Sequence, residues 1–144
     1  YGMSMASDKA VAGESIASRG NSYGIESIQI DGNDVEAVFE SVTSFKNEIL
    51  SSNRPKFIEA VTYRYRGHSK SDRNLYRTSD EIEYWKEEKD PIKRYIGKLM
   101  ESGVSEEKLK EIDTSVKELI RDSVKKALDS PMSPITNLEE DSYA

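Results

Sequence analysis

The sequence predicts an α/β fold, a parallel sheet with packed helices followed by a helical C-terminal region, and three observations lead there. An amphipathic stretch from Val35 to Leu50 lies between two short β-rich runs, and the three together span about 35 residues, the length of one strand–helix–strand unit. The first run, Ser27-Ile28-Gln29-Ile30-Asp31, alternates polar and apolar residues as a strand does. Beyond Thr78 the apolar residues recur at spacings of three and four, behind helix-start signals.

Taken in order, Glu14 to Gly24 reads as a short helix closing in a glycine turn. After the first strand, Gly32-Asn33-Asp34 supplies a turn and an N-cap candidate. Val38, Phe39, Val42, Phe45, Ile49 and Leu50 then share one helical face, and Ser51-Ser52-Asn53-Arg54-Pro55 ends that helix. Phe57 to Tyr63 reads as a buried strand, parallel to the first with a right-handed crossover. Thr78 and Glu81 are spaced as a capping box ahead of Ile82 and Trp85. Trp85, at helical spacing from Ile82, is expected to pack rather than to meet a partner. Asp90-Pro91 starts a helix carrying Ile92, Tyr95, Ile96, Leu99 and Met100, since proline is tolerated in the first turn. Ser105 caps a longer helix with Leu109, Ile112, Val116, Leu119, Ile120, Val124 and Leu128 on its expected inner face. Ser130 to Ala144 reads as an extended tail.

Composition narrows the classes. The 144 residues suit one domain, but 35% hydrophobic against 33% charged is lean for an α/β core standing alone, so apolar surface is expected to meet another chain or segment. With no cysteine, disulfides, thiolate catalysis and cysteine-ligated metal centres are excluded. No apolar run approaches the roughly 20 residues that span a bilayer, and a soluble, cytoplasmic protein with no membrane partner is expected. The net charge of −6 argues against general nucleic-acid binding, which draws on broad basic surfaces. The opening Tyr1-Gly2-Met3-Ser4-Met5 has no initiator methionine and no cap signal, and further sequence upstream is expected.

Against that acidic background, Tyr63 to Thr78 (YRYRGHSKSDRNLYRT) holds the chain's only histidine and five basic residues. Arg64, Arg66, Lys70, Arg73 and Arg77 face one acid, Asp72, for a local charge of +4. The segment leaves the second strand at its carboxyl end, where open parallel sheets bind ligands, so residues 64–77 are expected to form an active-site loop. Arginine forks match phosphate oxygens, and histidine can bind an anion and move a proton. Gly67 is expected to let the backbone approach a ligand, Ser69, Lys70 and Ser71 to add donors, and Asp72 to pin an arginine. By charge pattern alone, a solvated charge-rich connection explains the segment equally well. A serine–histidine–aspartate hydrolase is a poor fit, because no nucleophile elbow is present. Asp31-Gly32-Asn33-Asp34 lacks the twelve-residue pattern of a calcium loop and reads as a turn and cap.

The run TYRYRGHSKSDRNLYRT, continuing through DEIEYWKEEKDPIKRY, resembles the alpha subunits of thiamine-diphosphate-dependent 2-oxo acid dehydrogenases and their acetoin dehydrogenase relatives. YGMSM, SIASRGNSYGI and the DGNDV turn are similar to that family in the same order. The resemblance implies that residues 1–77 are the C-terminal part of a thiamine-diphosphate-binding α/β domain, 78–129 a helical region and 130–144 a tail. It implies carbon–carbon cleavage beside a carbonyl, with the acyl unit passed to lipoamide on an acyltransferase component. The implied partner is a beta subunit, in an assembly of two alpha and two beta chains. His68 matches the histidine that reaches the cofactor's diphosphate, and Arg64 serves the same anionic end. Ser69, Asp72, Tyr76 and Arg77 match the ordered loop that borders the substrate channel and meets the lipoyl-bearing component. Ser69 also matches a serine phosphorylated in mitochondrial relatives, where added negative charge beside His68 would oppose the cofactor's own. Tyr1 matches the residue whose backbone carbonyl ligates magnesium, and the family's GDG-to-NN magnesium motif is expected immediately before it. Without that motif, residues 1–144 alone are expected to bind the cofactor weakly. The SKSDRN wording is closer to bacterial acetoin dehydrogenases, with pyruvate and branched-chain 2-oxo acids as the other substrates. The contrasting reading is a non-enzymatic interaction domain whose basic loop docks an acidic partner.

Overall fold

A computed structural model describes residues 1–135. They form two compact units, residues 1–101 and a second beginning at Ser102. In the first unit, helix α1 (Ser7–Ala10) and helix α2 (Ala17–Ser22) precede strand β1 (Glu26–Asp31). Helix α3 (Val35–Ser52) connects it to strand β2 (Lys56–Val61), and helices α4 (Ser79–Glu87) and α5 (Pro91–Glu101) follow the long loop.

The two strands pair in parallel, with Gln29 opposite Glu59 and Asp31 opposite Val61. This is the expected strand–helix–strand unit. Asp34 caps α3 as its spacing predicted, its carboxylate accepting from the N–H groups of Glu36 (3.0 Å) and Ala37 (3.2 Å). Those amides and the Lys98 ammonium hold its pKa below the usual carboxylate value. At the other end Asn53 adopts the left-handed conformation (φ 54°), and its N–H donates to the Ile49 carbonyl at 2.8 Å.

Strand geometry sends alternate residues to opposite faces, and a helix lies on each. On one face α2 approaches as bare backbone: a Cβ added at Gly20 would lie 2.0 Å from Ser27 Oγ, so only glycine fits. On the other, α3 buries Phe45 (6% exposed). Lys56 joins that layer through ion pairs to Glu26 and Glu48, its ammonium 5.0 Å from the Phe45 ring centroid.

Helix α5 is tied to the sheet's carboxyl end by charge. Arg94 pairs with Asp31 (2.8 Å) and Asp34 (3.3 Å), and Lys98 pairs with Asp34 (3.2 Å) and Glu36 (2.7 Å). Asn33, 6% exposed, donates its side-chain amide to the Lys89 carbonyl at 2.8 Å. The carboxylate of Asp90 caps α5, accepting from the N–H groups of Ile92 and Lys93, both at 2.9 Å.

The second unit is helix α6 (Glu106–Asp129), with the Ser105 hydroxyl accepting from Lys108 N–H at 3.3 Å. Its apolar stripe is not an inner face: Ile112, Val116, Leu119, Ile120, Val124 and Leu128 are 49–80% exposed. Within its own unit no second described helix or strand is there to bury them. The same shortage runs through the first unit, where Ala17 and Phe45 are the only buried hydrophobic residues among those described.

Other expectations shift at their edges. The second strand stops at Val61 rather than Tyr63 and is half-buried rather than buried, because a two-stranded sheet has no interior strand. The helix expected from Glu14 begins at Ala17, and α1 went unforeseen because it lacks an apolar period. Residues 130–135 carry no helix or strand, while the tail from 136 lies outside the described residues. No helix among the described residues is long and apolar enough to cross a membrane.

Candidate functional site

Parallel pairing puts the ends of both strands, Asp31 and Val61, at the same edge of the sheet, and residues 64–77 leave from that edge. The loop has no regular secondary structure; side chains organise it.

Asp72 is the first organiser. Its Oδ2 accepts from His68 N–H at 2.7 Å and from the Tyr76 hydroxyl at 2.9 Å, while Oδ1 accepts from Asn74 N–H at 2.8 Å. The two amide donors, Asn74 then His68, hold its pKa below the usual carboxylate value. Asp72 therefore pins backbone and a tyrosine, not an arginine as its charge suggested. Gly67 serves the same contact: a Cβ there would lie 2.7 Å from Asp72 Cβ and Cγ. What comes close to Gly67 is the loop's own Asp72 carboxylate rather than the ligand expected there.

Arg77 is the second organiser and one of two buried polar residues described, at 8% exposed. Its guanidinium donates to the carbonyls of Arg64 and Tyr65 (3.0 Å to the latter) and to Asn74 Oδ1 at 2.8 and 3.2 Å. It also lies 5.2–5.6 Å from the ring centroids of Tyr63, Tyr1 and Tyr76. The planar fork holds its donors in one fixed plane and so meets two main-chain carbonyls and the Asn74 amide oxygen together. Arg77 is thus turned inward. Asn74, missed in the sequence, adopts the left-handed conformation (φ 54°) and accepts from both Arg77 and Tyr76. An asparagine just before Leu-Tyr-Arg was the available signal, because asparagine tolerates that conformation.

Arg64 faces the histidine. Its Nη1 donates to the Gly2 carbonyl at 2.6 Å and lies 3.5 Å from His68 Nδ1, while Nη2 is 3.4 Å from the His68 carbonyl. Since a guanidinium can only donate, this contact favours Nδ1 as acceptor, leaving Nε2 to carry the proton. His68 itself is exposed. Ser69 and Ser71 hydrogen-bond one another at 3.0 Å. Arg66, Lys70 and Arg73 are exposed and have no side-chain partner among the described residues.

An aromatic stack closes the site from behind. Trp85 lies parallel to Tyr63 (4.9 Å, 5°), the packing role its helical spacing implied. Tyr1 meets Tyr63 edge-on at 5.8 Å and Tyr76 at 5.4 Å, so the first residue packs against the loop. Burial, then Glu81, raises the Tyr1 hydroxyl pKa. Tyr65, also missed, donates to Asp90 at 3.1 Å and ties the start of the loop to the cap of α5.

The structure thus brings Tyr1, Arg64, His68, Asp72, Tyr76 and Arg77 together at one end of the sheet, with Ser69 on the exposed turn. The arrangement offers an anion a histidine N–H beside an arginine, on a loop braced by a buried cation. Among the described residues no group of three or more His, Asp or Glu side chains could hold a metal ion.

Residues 1–136 match the family described as "Dehydrogenase E1 component". The pyruvate dehydrogenase E1 component subunit alpha of Rhizobium meliloti (strain 1021) is 36% identical over 142 residues, which is 98% of this chain and 41% of that protein. That of Rickettsia bellii (strain RML369-C) is 39% identical over 123 residues, 85% of this chain and 36% of its own length. The mitochondrial 2-oxoisovalerate dehydrogenase subunit alpha of Mus musculus is 40% identical over 104 residues, 72% of this chain and 24% of its own. The chain spans about two fifths or less of these relatives.

Proposed function

The chain belongs to the dehydrogenase E1 component family, and we propose that it is the C-terminal portion of the alpha subunit of a thiamine-diphosphate-dependent dehydrogenase. The observation that carries this reading is His68 at the carboxyl end of a parallel sheet, beside the Arg64 guanidinium, on a loop braced from within. The substrate class is a 2-oxo acid or acetoin; pyruvate is named for two of the relatives above and 2-oxoisovalerate for the third.

The residues present fit one wall of a thiamine diphosphate site. When bound, the cofactor supplies the thiazolium carbon and electron sink that carbon–carbon cleavage beside a carbonyl requires. His68 would offer its Nε2 N–H to an anionic oxygen, Arg64 would keep the ring turned that way, and Asp72 and Arg77 would keep the loop ordered. Magnesium takes oxygen ligands. Tyr1 would lend its backbone carbonyl, and the remaining ligands would come from outside the described residues. A beta subunit, in an assembly of two alpha and two beta chains, would cover apolar residues such as Phe39, Leu50 and Leu119, which are 64–75% exposed here. The unpaired Arg66, Lys70 and Arg73 suit an acidic surface on the lipoyl-bearing acyltransferase. A cytoplasmic location belongs to the same proposal.

The test is His68→Ala in the intact complex. Lipoamide-linked turnover should fall on the order of 100-fold, the usual scale for a lost proton-transfer group, and near-normal turnover would refute the assignment.

A further inference from the structure

We propose that Glu59 is a positioning residue, the anchor that holds the segment carrying Tyr1 and Gly2 in place across the sheet. The inference rests on the function proposed above and concerns a residue outside the loop. Glu59 sits in β2 opposite Gln29, on the face covered by α2. Its Oε2 accepts from the Ala17 N–H at 2.8 Å and from the Gln29 side-chain amide at 3.1 Å. Ala17 opens α2 and is 5% exposed, so this carboxylate meets a helix amide that would otherwise lack an acceptor. No ion pair to Glu59 occurs among the described residues, so amides alone hold a charged group on a sheet face.

What this contact controls follows from the chain between. Residues 3–16 make no hydrogen bond to the sheet or the loop among the described residues; their hydrogen bonds are local. The stretch is bracketed by two long-range bonds, Gly2 carbonyl to Arg64 at 2.6 Å and Ala17 N–H to Glu59 at 2.8 Å. Helix α1 buries no residue, and the strap's other hold on the sheet is packing alone, with half-buried Val11 and Ile16 beside Glu59 and Val61. Releasing its far end lengthens the flexible connection to Tyr1 and Gly2, which raises the entropic cost of presenting the Tyr1 carbonyl and the Arg64 contact.

The experiment uses the intact alpha subunit with its beta partner and compares Glu59→Leu, which removes the acceptor, Glu59→Asp, which keeps the charge but shortens its reach, and Glu59→Gln, which keeps an acceptor at full length. Two readouts are taken: hydrogen exchange over residues 3–22 without cofactor, and titration with magnesium and thiamine diphosphate followed by turnover at saturation. Leu and Asp should speed exchange over 3–22 and weaken cofactor affinity by about threefold, the cost of roughly doubling a flexible connection. Turnover at saturation should stay within about twofold of the parent, since no group of the proposed chemistry is removed. Glu59→Gln should restore both readouts. If the Leu variant fails to fold, the Asp variant decides. Unchanged exchange and affinity in the Asp variant would overturn the role of Glu59, as would a Gln variant no better than Asp. A parent complex that binds no cofactor would instead overturn the proposed function, leaving the exchange result to decide on Glu59 as an anchor.

Discussion

The 64–77 loop and helix α6 are opposites in how they are held. The loop has no repeating backbone pattern, yet Asp72, Asn74 and Arg77 satisfy its turns from within, and Arg77 is buried. Helix α6 has every advantage of regularity, including a Ser105 cap and an i,i+4 ion pair between Lys117 and Asp113. Its apolar stripe is nonetheless open to solvent. Local regularity and tertiary completion are therefore separate properties. Hydrogen bonds close within a segment, whereas apolar burial needs a second surface.

The sharpest way to break the contrast is Asp72→Ala, which strips the His68 and Asn74 amides of their acceptor and leaves the Tyr76 hydroxyl with Asn74 alone. Turnover of the assembled enzyme should drop by about 100-fold through misplacement of His68, while far-ultraviolet circular dichroism stays close to the parent because α6 is untouched. A parent-like rate would mean that the loop is ordered by its ligands instead. On the helix, Leu119→Asp with Ile120→Asp should change the chain's own unfolding free energy by no more than about 0.5 kcal/mol. The same pair should weaken association with the proposed beta subunit by about tenfold or more, measured by sedimentation. Large destabilisation of the chain alone would show that the stripe is already covered.

Gly67→Ala tests the close approach inside the loop and should cost about 1–3 kcal/mol of overpacking, seen in denaturant unfolding and in faster proteolysis between Arg64 and Arg77. Acid titration tests the carboxylate contacts of the first unit next. Asp72, Asp34 and Asp90 all have folded pKa values held below the ordinary carboxylate value of 3.8. Their stabilisation is complete above that value and is lost as pH falls through the lower folded values. The loop and the corner between α3 and α5 should loosen together below about pH 4, read by tyrosine and tryptophan signals. The smallest effect is expected at Tyr63, whose buried hydroxyl, near Arg77 and Glu81, has no hydrogen-bond partner among the described residues. Tyr63→Phe removes an unsatisfied group and should leave stability within about 0.5 kcal/mol or raise it.

The two regions also differ in how much of each was legible from residues. Caps at Asp34, Thr78, Asp90 and Ser105 were readable because a capping side chain lies within three residues of the amide it accepts from. The parallel strand–helix–strand unit was readable because periodicity and connection length are one-dimensional properties. The loop's position followed from that topology, and its charge was plain. Its internal wiring was not. Charge suggested an anion site among the arginines and an arginine held by Asp72, but those signs are equally met by backbone carbonyls and amides. Tyr65 and Glu59 went unnoticed because their partners, Asp90 and Ala17, lie 25 and 42 residues away.

By itself the sequence determined the strand–helix–strand unit and the three helices after the loop, which end of the sheet carries the basic loop, and which apolar stripes need covering. Those properties depend on neighbours a few residues apart. The tertiary structure alone decided that Arg77 turns inward, that Gly67 makes room for Asp72, that Glu59 meets Ala17, and that the α6 stripe stays open. Each of these is a contact between distant residues, or the lack of one. Orientation and burial are set by the closing of the chain in space, not by the order of residues along it.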